Sequence, residues 1–283
     1  SAPAGTNRPP TDADAEVFYA KEWRWLETRD RNWEHMTPIQ GNWTISSIGL
    51  PGPVLRKVYF DNARKLLARS LPTPAIEARH ISQDFDLNGC LLSPLWQTAR
   101  PVRLEQASYD GTVRQELSTT VRALWFLYLA FEAPFTRLTV FEPPNLAGKR
   151  VNLQTDGASL WDRDVVEAFI GTDRQNPRHY AEFEVAPTNE RLDLMVKDLP
   201  EKDFGWNSQW TTVTRVDAKA KSWTCEMRVP LKALSADTPA AGIQWQANFY
   251  RCDRAQRGFL AWNPTLQGTF HVPERFGTLR FIE

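Results

Sequence analysis

The residues that could do chemistry are carboxylates and rings set at alternate positions. In Trp161-Asp-Arg-Asp-Val-Val-Glu-Ala-Phe-Ile170, Val165, Glu167 and Phe169 share one side of an extended strand. Asp164, Val166, Ala168 and Ile170 share the other. In Tyr180-Ala-Glu-Phe-Glu-Val185, Tyr180, Glu182 and Glu184 lie opposite Ala181, Phe183 and Val185. The stretch between, Gly171-Thr-Asp-Arg-Gln-Asn-Pro-Arg178, is made of turn residues, so the pair reads as an antiparallel hairpin. One face is apolar and buries. The other is a polar, ligand-facing surface with three carboxylates, a phenol and, at its entrance, Trp161. Ionised carboxylates are strong acceptors for a ligand's hydroxyls. Hydrolysis by a carboxylate pair needs two acids flanking a cleft at a set separation, one with a raised pKa. The sequence supplies no such separation, and no catalytic residue is expected.

Asp156, Asp162 and Asp164 crowd the approach to the first of these strands. Calcium takes several carboxylate and carbonyl oxygens from a loop, so these three form a candidate structural calcium site. No other cofactor is expected. His35, His80, His179 and His271 have no metal-ligand spacing, and Met195 or Met227 with a histidine is a distant haem candidate. Cys90, Cys225 and Cys252 are an odd set without C-x-x-C spacing, which excludes a zinc ribbon or a disulfide framework. Cys225 and Cys252 fall in strand patterns and read as buried thiols, with a single disulfide as the alternative.

The elements that must position these groups are mostly strands. The chain has 283 residues, and its 42% hydrophobic content is enough for a real core. A formal net charge of +0 with no basic run argues against nucleic acid or an anionic membrane as partner. The longest apolar run, Leu124–Ala130, is strand-sized rather than membrane-spanning. No signal peptide is present in Ser1-Ala-Pro-Ala-Gly5, which decides little about compartment.

Residues 1–75 read as a helical appendage. Asp12 or Asp14 caps a helix to about Glu27, residues 31–50 are irregular, and Pro51-Gly-Pro53 opens a second helix with a Leu55/Tyr59/Asn62/Leu66 stripe. From 76 to 283 the pattern is strands, at Ile76–Ile81, Leu95-Trp96, Val102–Glu105, Leu117–Val121 and Leu124–Phe131. After the carboxylate hairpin come Leu192–Val196, Thr211–Val216, Trp223–Val229, Trp245–Arg251, Phe259–Trp262 and Leu279–Ile282. In Trp223–Val229 the odd positions point inward and Thr224, Glu226 and Arg228 outward. The expected fold is mainly β, a two-sheet antiparallel β-sandwich with a short helical N-terminal appendage.

The run Trp161–Ile170, then His-Tyr-Ala-Glu-Phe-Glu-Val-Ala-Pro187 and Leu192-Asp-Leu194, resembles the carbohydrate-binding module family 9-like domains. So do Trp223–Leu234, with its Val-Pro-Leu-Lys-Ala-Leu turn, and Trp245-Gln-Ala-Asn-Phe-Tyr-Arg251 leading to Ala261-Trp-Asn-Pro264. The resemblance covers roughly residues 80–283. It implies a sandwich that holds the end of a sugar chain between two Trp rings, with structural calcium nearby. Related DOMON-type sandwiches bind haem. By this resemblance Trp161 and Trp262 are the stacking pair and Glu167 a sugar-contacting acid, with Tyr180 and Asn263 beside them. Glu182 and Glu184 are further acceptors for sugar hydroxyls or a solvated sheet face. The family's arginine has no counterpart beside Tyr180, and Phe259 stands where an asparagine belongs, so weak sugar binding is implied.

The first 70 residues resemble the C-terminal tail of an amidohydrolase-type metal-dependent hydrolase, through Phe18-Tyr-Ala-Lys-Glu-Trp23, Thr37-Pro-Ile-Gln-Gly-Asn-Trp43 and Leu50–Leu67. The barrel itself, with its His-x-His pair, has no counterpart in the sequence. The expectation is a non-catalytic, glycan-end binding module or a degenerate version of one, accessory to an enzyme. A hydrolase domain is then an expected covalent or docked partner, and the location is extracellular or periplasmic. The alternatives are the C-terminal fragment of an amidohydrolase-type enzyme with a structural sandwich, and a haem-binding electron-transfer domain.

Overall fold

In the computed structural model, which describes residues 9, 11–35, 43–67, 70–142, 146–151, 156 and 159–283, the chain forms two compact units, Ser1–Leu67 and Ala68–Glu283. The smaller unit opens with α1 (Asp12–Glu27). Its N-cap is Thr11 rather than either expected aspartate. Thr11 Oγ1 accepts from the Asp14 N–H at 3.4 Å, and the Thr11 N–H donates to Asp14 Oδ2 at 2.8 Å, a reciprocal capping box. The strands β1 (Trp33–Glu34) and β2 (Thr44–Ile45) pair antiparallel within the stretch expected to be irregular. Trp33 is buried and donates from Nε1 to Ser47 Oγ at 2.9 Å, while Arg24 lies over its ring at 4.7 Å. The second helix is α2 (Gly52–Arg56) and α3 (Asn62–Leu67) joined by a wide π turn, Lys57–Asp61. That turn breaks the single apolar stripe read from the sequence.

The larger unit holds β3 (Ala75–Arg79), β4 (Val102–Leu104), β5 (Gln106–Ala107), β6 (Thr119–Leu124), β7 (Tyr128–Pro134), β8 (Val165–Gly171) and β9 (Tyr180–Val185). Then follow β10 (Arg191–Asp198), β11 (Glu201–Asp203), β12 (Thr211–Asp217), β13 (Ser222–Arg228), β14 (Gln244–Asp253), β15 (Gly258–Ala261) and β16 (Gly277–Ile282). Hydrogen bonds connect them in the order β11-β10-β9-β8-β14-β16-β3-β6-β7-β13-β12, with β15, β4 and β5 as side branches. Pairing is antiparallel except at β16–β3 and β3–β6, where the two layers of the sandwich join. The layers meet through the expected inward residues. Val166, Ala168, Ile170, Phe183 and Phe249 from one layer pack with Leu129, Phe131, Trp223, Cys225 and Met227 from the other. The Phe131 and Phe249 rings meet edge-on at 6.0 Å. Each fully buried Val, Ile, Leu, Phe or Met among them contributes about 1.5–3 kcal/mol. Among the described residues no helix is long and apolar enough to cross a membrane.

Three local expectations change. Leu95-Trp96 is not a strand but part of a 3₁₀ turn, Pro94–Gln97, opened by the Ser93-Pro94 pair. The β6–β7 hairpin turns at Trp125-Phe126-Leu127, inside the run read as strand, with Phe126 and Leu127 at φ 74° and 55°. No Gly or Asn announces that turn. It is fixed instead by long-range bonds, Trp125 N–H to Arg79 O at 2.8 Å and Val229 N–H to Leu127 O at 3.0 Å. Glu226, expected to point into solvent, is fully buried, because residues 85–97 fold over the outer face of β13.

Candidate functional site

The carboxylate face of β8 and β9 is covered, not solvated. Strand register sets Glu167 opposite Glu184 and Phe169 opposite Glu182. On the flanking strands, Tyr250 pairs with Glu167 and Leu194 with Glu182. Every residue of β8 and β9 is buried, because a second apolar layer closes over this face. It is built from Leu160, Phe169, Tyr180, Leu192, Leu194, Tyr250 and Phe276, with Trp161, Phe259 and Phe270 packed at its edge.

Between this layer and the sheet lies a cavity of about 260 Å³. Its floor is Glu167, Glu182, Glu184 and Cys252, and its walls are the rings of Trp161, Tyr109, Phe259 and Phe270. Lys202, Arg254 and His271 bring the positive and polar groups. Tyr109 stacks on Phe259 at 5.4 Å, and Phe270 stacks on Tyr250 at 4.2 Å. Trp161 sits on the 3₁₀ turn Leu160–Asp162 that leads into β8. Its carbonyl accepts from the Arg254 guanidinium, which stands over the Phe259 ring at 5.0 Å. Asp164 fastens the same corner, accepting from the Thr139 N–H at 3.0 Å and the Arg254 N–H at 2.7 Å.

The electrostatics of the floor follow from burial. Burial and the neighbouring charge of Glu182 push the Glu167 carboxyl up to about 8. Burial, then Glu167 and Glu182, raise Glu184 well above the usual carboxylate range. Glu167 Oε1 meets the Cys252 thiol at 3.5 Å. Lys202 Nζ lies 3.6 Å from Glu182 Oε2 and 2.6 Å from His271 Nε2. An ammonium only donates, so Nε2 is the acceptor and the neutral ring carries its proton on Nδ1, 2.7 Å from the Tyr180 hydroxyl. Burial lowers the His271 pKa, in keeping with that neutral ring.

The expected site residues separate into two groups. Trp161 and Glu167 line the cavity together, and Tyr180 stands behind it as the support of His271. Trp262 does not face Trp161. Along β15 and just past its end, Leu260 and then Trp262 point into the inter-sheet core, while Phe259 and Ala261 point to the carboxylate face. Trp262 packs 5.4 Å from Phe249 and against Gly277, where a Cβ would come within 2.5 Å of its ring. Asn263 is equally internal: its Nδ2 donates to Arg275 O at 2.6 Å and its Oδ1 accepts from Arg275 Nη2 at 2.8 Å. The second aromatic wall is therefore Phe259. Period-two alternation carries that signal in the sequence, since Phe259 pairs with Cys252 and falls on the Glu167 side of β14.

Asp156, Asp162 and Asp164 do not converge. Asp156 is exposed, Asp162 is mostly exposed 3.5 Å from Arg254 Nη2, and Asp164 has both oxygens on backbone N–H groups. Met227 is sealed in the core and Met195 packs against it, away from His271 in the cavity wall. Tyr109, Lys202, Arg254, Phe270 and His271 were not legible as site residues, because they arrive from four separate loops or strand ends.

Residues 144–283 match the family model for carbohydrate family 9 binding domain-like sequences. An extracellular protein of Arthroderma benhamiae is 27% identical over 199 residues, spanning 62% of this chain and 85% of the relative. A candidate carbohydrate-binding protein from Bacteroides uniformis superimposes with a TM-score of 0.57 at 18% identity, covering 74% of this chain and 100% of that one. A carbohydrate binding module of family 9 from Caldicellulosiruptor kristjanssonii, in complex with cellotriose, gives 0.51 at 15% identity, covering 74% and 93%. The same organism's module with glucose gives 0.51 at 14%, covering 73% and 95%. The sandwich is shared with these proteins, and residues 144–283 are similar to the carbohydrate family 9 binding domain-like family.

Proposed function

We propose that the larger unit binds the end of a glycan, without catalysis, in the cavity between Trp161 and Phe259. The observation that carries this is the cavity itself, with aromatic faces on its walls and carboxylates, a lysine and an arginine at its floor and rim. An indole or phenyl face suits the C–H face of a sugar ring, and the charged groups suit its hydroxyls. A volume of about 260 Å³ lies below the range of pockets for drug-sized ligands and suits a single terminal ring. The three glutamates stand side by side on one floor instead of facing each other across a cleft, which favours binding over hydrolysis. The ligands named for the Caldicellulosiruptor modules make cello-oligosaccharides and glucose the first to try. An extracellular or periplasmic location, service to a hydrolase, and the reading of residues 1–75 as a hydrolase tail belong to the same proposal.

The test is a calorimetric or NMR titration with cello-, xylo- and manno-oligosaccharides. Wild type should bind at least one of them with millimolar or better affinity, roughly −4 kcal/mol or more. Trp161→Ala and Phe259→Ala should each weaken it about tenfold or more. If no sugar shifts any resonance, the proposal fails.

A further inference from the structure

We propose that Glu167, Glu182 and Glu184 form a divalent-cation site, of calcium size, on the floor of the cavity. One oxygen from each lies within 4.8 Å of the others, and all three residues are buried, at 2%, 3% and 0% exposure. Two oxygens bound on opposite sides of one calcium ion, each at roughly 2.4 Å, stand about 4.8 Å apart, so the three are spaced as ligands of one ion are. The backbone imposes this meeting. Glu167 and Glu184 are directly opposed across β8 and β9, and Glu182 lies two residues along on the same side. Like charges so placed are destabilising unless something neutralises them.

The protein's own donors do not do so. Glu184 lies wholly inside, lines the cavity, and as a carboxylate has no donor to either oxygen; Glu182 Oε2 has none within hydrogen-bond distance, with Lys202 Nζ at 3.6 Å. Asp164, just before β8, shows the contrast, with both oxygens satisfied by backbone N–H groups. Buried polar atoms left in that state are rare in native proteins and call for an ion, a water or a ligand. With all three ionised, as a bound cation would hold them, the carboxylates outnumber Lys202 and Arg254, and the floor is left net negative. Arg254 adds its charge at the cavity rim, with its Nη2 given to the Trp161 carbonyl and Asp162. Oxygen-only donors of this kind select calcium, manganese or magnesium over zinc or copper. The remaining coordination positions open on the cavity, where water or ligand hydroxyls fill them. The cation does not depend on the sugar reading, although its use by a sugar would.

The experiment uses the full chain, stripped with a chelator, and no sugar. Calcium chloride is titrated calorimetrically, and terbium is followed by luminescence excited through tryptophan, since Trp161 lines the same cavity. The expected result is one saturable ion per chain and a calcium-dependent rise in melting temperature. Glu182→Gln and Glu184→Gln should each weaken binding about tenfold or more, and Asp162→Asn should leave it unchanged. Near-UV circular dichroism confirms that each variant is folded, and the wild-type titration stands even if one is not. Absence of binding at millimolar calcium overturns the proposal, as does binding that survives both glutamine variants or disappears in Asp162→Asn. Binding of glucosamine by the metal-free wild type through the same glutamates also overturns it, by assigning the floor to an ammonium group. A cation without sugar binding would sink only the glycan reading, and sugar without a cation only this one.

Discussion

Replacing Trp262 by alanine should unfold the domain far more readily than it disturbs any ligand. The ring is 8% exposed, packs against Phe249 and rests on Gly277. Truncating a buried tryptophan removes its transfer free energy and leaves a cavity, together about 3–5 kcal/mol. For a unit the size of Ala68–Glu283, each kcal/mol moves the melting temperature by roughly 2–4 °C, so a drop of about 6–20 °C is expected. Trp161 is only partly covered, and Trp161→Ala should lower stability by about 1–2 kcal/mol while weakening ligand binding. Gly277→Ala is a companion perturbation, since its new methyl would meet both the Trp262 ring, at 2.5 Å, and Pro74 O, at 2.7 Å. It should destabilise by about 1–3 kcal/mol through overpacking. Thermal and urea denaturation followed by circular dichroism, beside sugar titration of the same variants, reads both quantities. A Trp262→Ala protein within about 1 kcal/mol of wild type that no longer binds a sugar would refute the reasoning. Trp262 would then be a wall of the binding site and the core assignment wrong.

Glu226 accepts from the Asn88 N–H at 2.8 Å, the Gly89 N–H at 2.5 Å and Trp96 Nε1 at 2.6 Å. Glu226→Ala strands three donors and should cost about 3–5 kcal/mol. Hydrogen exchange should show protection lost first across residues 85–97, and unchanged protection there would count against the assignment. A colorimetric thiol reagent should label one cysteine in the native protein, Cys90, and three after denaturation, because Cys225 and Cys252 are buried and their thiols pushed up by that burial. Rapid reaction of more than one native thiol would show that the core opens.

Alternation alone determined the sandwich. Which residues of β8, β9, β13 and β14 point inward is a local property of an extended chain, with period two, and Val166, Phe183, Trp223 and Phe249 are where the pattern puts them. The same rule, applied through β15, separates Phe259 from Trp262, although the Trp spacing of a related family pointed the other way. Sequence could also name Trp161 and Glu167, six residues apart where the chain turns into one strand. It could not tell that the polar face is covered, because the cover comes from Tyr109, Lys202, Phe270 and His271, each far from Glu167 in the chain and brought over it by loops. A carboxylate at an alternate strand position reads the same whether water or protein lies above it. Only the tertiary structure decides between a solvated face and a buried floor, since burial, and with it the raised carboxyls of Glu167 and Glu184, is a property of what the distant chain brings to the strand.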